Sequence, residues 1–127
     1  AAILRIKLKY LEEDNRKRIN IARKYNELLK ETNLILPKVD KSVNHVYHQY
    51  VIRSFERNKL QKKLLSYGIQ TLIHYPLAVH QQPAYKKNHN FVPLISTEKV
   101  VTQILSLPIF PELTEEAIIQ IVEAIKN

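Results

Sequence analysis

The 127-residue sequence contains no cysteine, which excludes disulfides, thiol catalysis and cysteine-ligated metals. Glycine is nearly absent too: Gly68 is the only one, so no glycine-rich phosphate loop can form. No apolar run approaches the roughly 20 residues that span a bilayer. The chain starts Ala1-Ala2-Ile3, with neither an initiator methionine nor a signal-peptide layout. A soluble, cytoplasmic chain is predicted, and a fragment of a longer one. Its length amounts to one domain, enough for a modest core and short for a complete cofactor-dependent enzyme of the commoner kinds.

Acidic residues are in deficit: 12 Asp and Glu against 20 Lys and Arg give a net charge of +8. Clustered Lys and Arg supply the sequence-independent part of nucleic-acid binding. Here they run from Arg5 to Lys126, diluted near the start by Glu12, Glu13, Asp14 and Glu27, with no RNA-recognition or helix-turn-helix signature. That distribution fits a solvated basic face; it is compatible with a small anionic ligand, and no specific nucleic acid or membrane is expected as a partner. Two rival classes stay open, a basic nucleic-acid-binding module and a stand-alone interaction domain.

The stretch from Ile69 to Tyr85 reads as a strand that ends in polar side chains. Gly68 breaks the chain in front of it, Ile69 to Ile73 are mostly β-branched or apolar, and Pro76 prevents a regular ladder from continuing past Tyr75. His74 and Tyr75 are thereby placed at a strand end, where a rigid sheet can present them to a ligand, and His80 and Tyr85 lie in the loop that can fold back over them. The plain alternative is a half-buried, hydrogen-bonded core edge. A metal is not expected: His45 and His48 have the wrong parity to share a strand face, and His74 and His80 are too far apart in sequence to make up the set.

Around this stretch, Ala2 to Glu31 reads as one helix roughly 45 Å long. Its stripe carries two apolar patches, Leu4/Leu8/Leu11 and Ala22/Tyr25/Leu29, separated by Asn15 and Arg18. The second patch would pack on this domain and the first, Ile3 to Leu11, on something else, unless Ile19 and Ile21 carry burial sideways between them. A short strand is predicted at Leu34 to Leu36, closed by Pro37. A longer one from His45 to Arg53 would show Val46, His48, Tyr50 and Ile52 on one face. A helix from Asn58 to Tyr67 would turn Leu60, Leu64 and Leu65 inward, with Asn58 as cap and Gly68 as left-handed stop. Lys86 to Pro93 reads as a mobile loop. A helix from Ser96 or Thr97 would turn Val100, Val101, Ile104 and Leu105 to the core, and Leu105 to Pro108 could form a short strand. The last helix is capped by Thr114, carries Glu115 and Glu116 in its first turn, and buries Ile118, Ile121, Val122 and Ile125. The predicted fold is an α+β two-layer sandwich of the α/β kind, a small mainly antiparallel sheet covered by helices.

Several segments, in this order, carry a resemblance over essentially the whole chain. They are Asn15-Arg16-Lys17-Arg18, Ala22-Arg23-Lys24-Tyr25-Asn26-Glu27-Leu28-Leu29 and His45-Val46-Tyr47-His48-Gln49-Tyr50-Val51-Ile52-Arg53. They continue with Gly68-Ile69-Gln70-Thr71-Leu72-Ile73-His74-Tyr75-Pro76, His80-Gln81-Gln82-Pro83-Ala84-Tyr85 and Leu105-Ser106-Leu107-Pro108-Ile109-Phe110-Pro111. The chain resembles the C-terminal third of the DegT/DnrJ/StrS sugar aminotransferases. It departs from that pattern at Leu72, where a glycine is usual, and at Ala78, often a proline.

The resemblance implies a small C-terminal domain of fold-type I pyridoxal-phosphate transferases, in which residues 1–31 are a long connector helix and 32–127 the domain proper. It implies an enzyme, usually a homodimer, that moves an amino group from glutamate or glutamine to a nucleotide-linked keto sugar in polysaccharide or deoxyamino-sugar biosynthesis. The lysine that holds pyridoxal 5'-phosphate, the acid facing its ring nitrogen and the phosphate cup would lie in the N-terminal large domain. This chain would then hold no catalytic, cofactor-binding or metal-ligating residue and be inactive alone. His74 and Tyr75 would line the sugar side of the cleft, with His80 nearby.

Overall fold

A computed structural model of the chain describes residues 1–86 and 92–127; the loop read from Lys86 to Pro93 falls largely on positions 87–91, outside the described residues. The order of elements is α1 (Ala2–Leu8), α2 (Leu11–Leu29), β1 (Tyr50–Arg53), α3 (Arg57–Ser66), a 3₁₀ turn (Val79–Gln81), α4 (Pro83–Lys86), α5 (Ile95–Val101), β2 (Ile104–Leu107) and α6 (Glu115–Lys126). The predicted α+β class holds among the described residues. An antiparallel pair, with Tyr50 opposite Leu107 and Arg53 opposite Ile104, is covered by helices.

The single helix predicted from Ala2 to Glu31 is two. At Lys9 and Tyr10 the backbone N–H groups bond three residues back, to Ile6 and Lys7, at 3.2 and 3.0 Å, a tightened 3₁₀-type turn. A fresh start there suits the charges, since Glu12, Glu13 and Asp14 fall in the first turn of α2, where the helix dipole favours anions. α1 buries nothing: Leu4 and Leu8 are 69% and 67% exposed. α2 buries Ala22, Tyr25 and Leu29 as predicted, and Ile21 with them, while Ile19 packs partly against the core. Burial does run sideways along α2. Arg18, which interrupts the stripe, donates to the Ile109 carbonyl at 2.8 Å.

The strands are shorter than the apolar pattern predicts. Leu34–Leu36 contributes one bridge, Ile35 to Arg53, and the Ile69–Tyr75 stretch one bridge, Leu72 to Ser106. These flank β1 and β2 on their outer edges, so four chain passes lie side by side although two form a regular ladder. The long strand from His45 starts only at Tyr50 because Tyr47 adopts φ +51, outside the extended region. His45 Nδ1 accepts from the Tyr47 N–H at 2.9 Å, holding that turn. Tyr47 is therefore buried and Val46 and His48 are exposed, so the predicted shared face of Val46, His48, Tyr50 and Ile52 survives only in its last two members.

In α3, Leu60 and Leu64 are buried but Leu65 is 62% exposed; a residue one step beyond Leu64 is turned about 100° away. The helix begins one residue before Asn58, whose side chain accepts from Arg57 Nε instead of capping. Gly68 is at φ +75, with its N–H bonded to Leu65 O and that of Ile69 to Leu64 O, each at 2.9 Å. This paired closure needs a left-handed residue, which glycine supplies without a Cβ penalty. α5 begins at Ile95, before Ser96 and Thr97, with no side-chain cap, and its Val100 and Val101 are only half-buried; it ends at Val101, so Ile104 and Leu105, expected on its core face, belong to β2 instead. The Thr114 hydroxyl accepts from Ala117 N–H as predicted, and α6 buries Ile118, Ile121 and Val122 with Ala124, while Ile125 is half-buried.

Two tyrosines centre the core. The rings of Tyr25 and Tyr50 lie 4.9 Å apart; Tyr25 donates its hydroxyl proton to Pro108 O at 2.9 Å and Tyr50 to Asn26 Oδ1 at 2.7 Å. Burial pushes both phenols up, with Tyr50 adding to it at Tyr25 and Tyr47 at Tyr50. An unfolded tyrosine ionises near about pH 10. Above that pH the unfolded chain releases protons that the fold retains, so stability present at lower pH is lost as pH rises. The urea midpoint is expected to fall between pH 8 and 10.5, and the fall to be smaller in Tyr25→Phe. An identical slope in that variant would remove Tyr25 as a cause.

Candidate functional site

The bridge at Leu72 fixes where the next residues go. Leu72 N donates to Ser106 O at 3.3 Å and Ser106 N to Leu72 O at 2.8 Å, so the chain runs along the outer edge of β2 before leaving the sheet. Two residues later His74 turns back, and its Nδ1 lies 2.9 Å from the hydroxyl of Ser106, a buried residue of the strand. The imidazole is thus fastened to the sheet. Tyr75 follows across a cis peptide bond, its ring edge-on to His74 with centroids 5.6 Å apart. The segment then closes into the 3₁₀ turn, where Ala78 is buried and its N–H meets Gln81 Oε1 at 3.4 Å.

His74, Tyr75 and His80 line one cavity of about 630 Å³. Its other side comes from the α5 region, with Leu94, Thr97, Val101 and Ile104. Tyr85 lines it as well, so the loop does fold back towards His74. The His80 side chain is 11% exposed and its Nε2 lies 2.9 Å from Glu98 Oε1. The space is apolar, with imidazole and phenol groups at its wall, an arrangement that suits a ligand with apolar faces and neutral hydroxyl or carbonyl groups. Behind His74, a smaller hollow of about 190 Å³ is bordered by His48, Gln49, Gln70 and Ser106. A larger one, about 720 Å³, lies between the ends of α2, α3 and α6. It contains none of the three residues, and two of its lysines face partners of their own, Lys59 with Glu56 at 3.3 Å and Lys63 with Ile125 O at 3.1 Å.

The sequence points to His74, Tyr75 and His80 but not to Ser106 or Glu98, which hold the two imidazoles from 32 and 18 positions away. Nothing local marks either. Among the described residues no group of three or more His, Asp or Glu stands where it could hold a metal ion, and no helix is long and apolar enough to cross a membrane. Among the described residues lining this cavity there is no lysine, arginine or acid, whereas pyridoxal phosphate needs a lysine, an acid and a phosphate cup, so these residues do not fit the cofactor. Gly68 ends α3.

A small antiparallel sheet under helices is the fold this chain shares with solved aminotransferase structures. The chain belongs to the DegT/DnrJ/EryC1/StrS aminotransferase family, which it matches over residues 1–126. It is 41% identical to the dTDP-3-amino-3,6-dideoxy-alpha-D-galactopyranose transaminase of Aneurinibacillus thermoaerophilus, over 100% of this chain and 35% of that protein. The crystal structure of S. venezuelae DesV in complex with a ketimine intermediate superposes with a TM-score of 0.92 at 31% identity, covering 98% of this chain and 34% of that one. NtdA from Bacillus subtilis, with bound cofactor PMP, gives 0.84 at 31% identity, over 93% and 29%. The chain spans about a third of the length of the relatives it matches.

Proposed function

We propose that this chain is the small-domain portion of a pyridoxal-phosphate aminotransferase that moves an amino group from glutamate or glutamine to a nucleotide-linked keto sugar. His74, Tyr75 and His80 form the wall that meets the sugar. The observation that carries this reading is their convergence on one cavity whose described lining is mainly apolar. Such a wall can bind and orient the faces and neutral oxygens of a deoxy sugar, while the charged groups the cofactor requires must come from elsewhere. The apolar face of α1, exposed from Ile3 to Leu8, offers the rest of the longer polypeptide a docking surface. That remainder would carry the cofactor, and the whole would act as a homodimer.

The test is made on the full-length protein carrying these residues, supplied with pyridoxal phosphate, glutamate and a dTDP- or UDP-linked keto sugar. Amino transfer to the sugar is expected; transfer only between amino acids and keto acids would remove the sugar from the reading. The 127-residue chain alone is expected to retain no saturable visible absorbance from lysine-bound cofactor after gel filtration, because the lysine and its orienting groups are a matched set. A persistent, stoichiometric band would contradict the division of labour.

A further inference from the structure

Glu98 Oε1 lies 2.9 Å from His80 Nε2 and 3.2 Å from the backbone N of Leu94. Those two partners belong to opposite sides of the cavity, His80 to the 3₁₀ turn and Leu94 to the start of α5. α5 is 7 residues long and buries none of them, so apolar packing gives it little hold and polar ties set its position. The exposures of the pair, 11% for His80 and 37% for Glu98, put the imidazole inside and the carboxylate at the rim. A carboxylate oxygen only accepts. The Nε2 of His80 therefore carries the proton in this pair.

We propose that Glu98 is the positioning residue of the cavity. Its carboxylate holds His80 in the Nε2–H form and in one orientation. By accepting from Leu94 N–H through the same oxygen, it ties position 80 to position 94 and keeps the two walls at a set separation. A partner that fixes both the proton and the ring plane of a histidine governs what that histidine can bind. The inference rests on the reading above that this cavity receives the keto sugar.

Three substitutions test it. Glu98→Gln keeps an acceptor oxygen for both partners, Glu98→Ala removes it, and Glu98→Asp withdraws the carboxylate by one methylene and serves if the alanine variant does not fold. In this chain, side-chain ¹⁵N spectra of His80 should show the Nε2–H signature in the native and Gln forms and a shift towards mixed tautomers in Ala or Asp. In the full-length protein, Glu98→Ala should raise KM for the keto sugar about tenfold, the scale of one charge-assisted hydrogen bond, relative to the amino-donor half-reaction, with Gln recovering most of the loss. An unaltered His80 signature in both Ala and Asp overturns the positioning role whatever the kinetics. A shifted signature with unchanged keto-sugar kinetics overturns instead the assignment of the cavity to the sugar, and with it the purpose of the positioning.

Discussion

Tyr25→Ala is expected to leave the chain unfolded, or within about 1–2 kcal/mol of unfolding, at 25 °C. The Tyr25 side chain is fully buried. Its ring packs tilted against Tyr50 and its hydroxyl joins α2 to the segment after β2 through Pro108 O. Truncating a core aromatic to alanine costs about 3–5 kcal/mol, because transfer energy is lost and the cavity does not fully collapse. Stranding the carbonyl that the hydroxyl served adds roughly 1–3 kcal/mol where water cannot reach it. Native domains hold about 5–15 kcal/mol in all, and small ones lie towards the bottom of that range. Tyr25→Phe keeps the ring and should cost only about 0.5–1.5 kcal/mol. Urea titrations of the three proteins check the order; a cooperative alanine variant with a native-like midpoint would mean that this ring does not centre the core.

What could be read from the sequence was local. Gly68 stops α3 because a left-handed residue closes two backbone bonds within its own turn, and Thr114 caps α6 three residues from its partner. The buried face of α6 follows from helical spacing alone. The strands were less legible because a ladder depends on what lies alongside. The apolar pattern from Ile69 to Ile73 and from Leu34 to Leu36 marks segments that touch β2 and β1, yet each is held at one bridge. Tyr47 reverses the parity of its stretch by a single backbone angle, which no alternation pattern encodes. The break after α1 was hidden for the opposite reason. Good helix formers run through it, so propensity gives no sign of the turn at Lys9 and Tyr10.

At the site the same division holds. A histidine and a tyrosine just before Pro76 announce a strand end, and the order of the surrounding segments resembles the family pattern, so His74, Tyr75 and His80 were visible. Their holders were not, because Ser106 and Glu98 reach them only once β2 and α5 are in place. Leu72, one of the two departures from the resembled pattern, is exposed and makes the edge bridge. Its extra side chain is therefore accommodated at the surface.

In the full-length enzyme, His74→Ala and Tyr75→Phe are expected to slow the keto-sugar half-reaction far more than the amino-donor half-reaction. Both groups stand at the wall of the cavity assigned to the sugar, and neither supplies what the cofactor requires. Loss of one hydrogen bond to a neutral group removes about 0.5–1.5 kcal/mol, roughly two- to thirteenfold in rate or affinity. Tyr75 is the cleaner probe: it is 67% exposed, so phenylalanine changes the hydroxyl and little else. His74 is the larger one, because alanine also deprives the buried Ser106 hydroxyl of its partner and should lower the melting temperature. A core-edge role alone predicts a different pattern, with both half-reactions falling in step with the folded fraction and Tyr75→Phe nearly silent. Single-turnover measurements of each half-reaction beside a thermal melt separate the two, and unchanged keto-sugar kinetics in both folded variants would remove these residues from the sugar's wall.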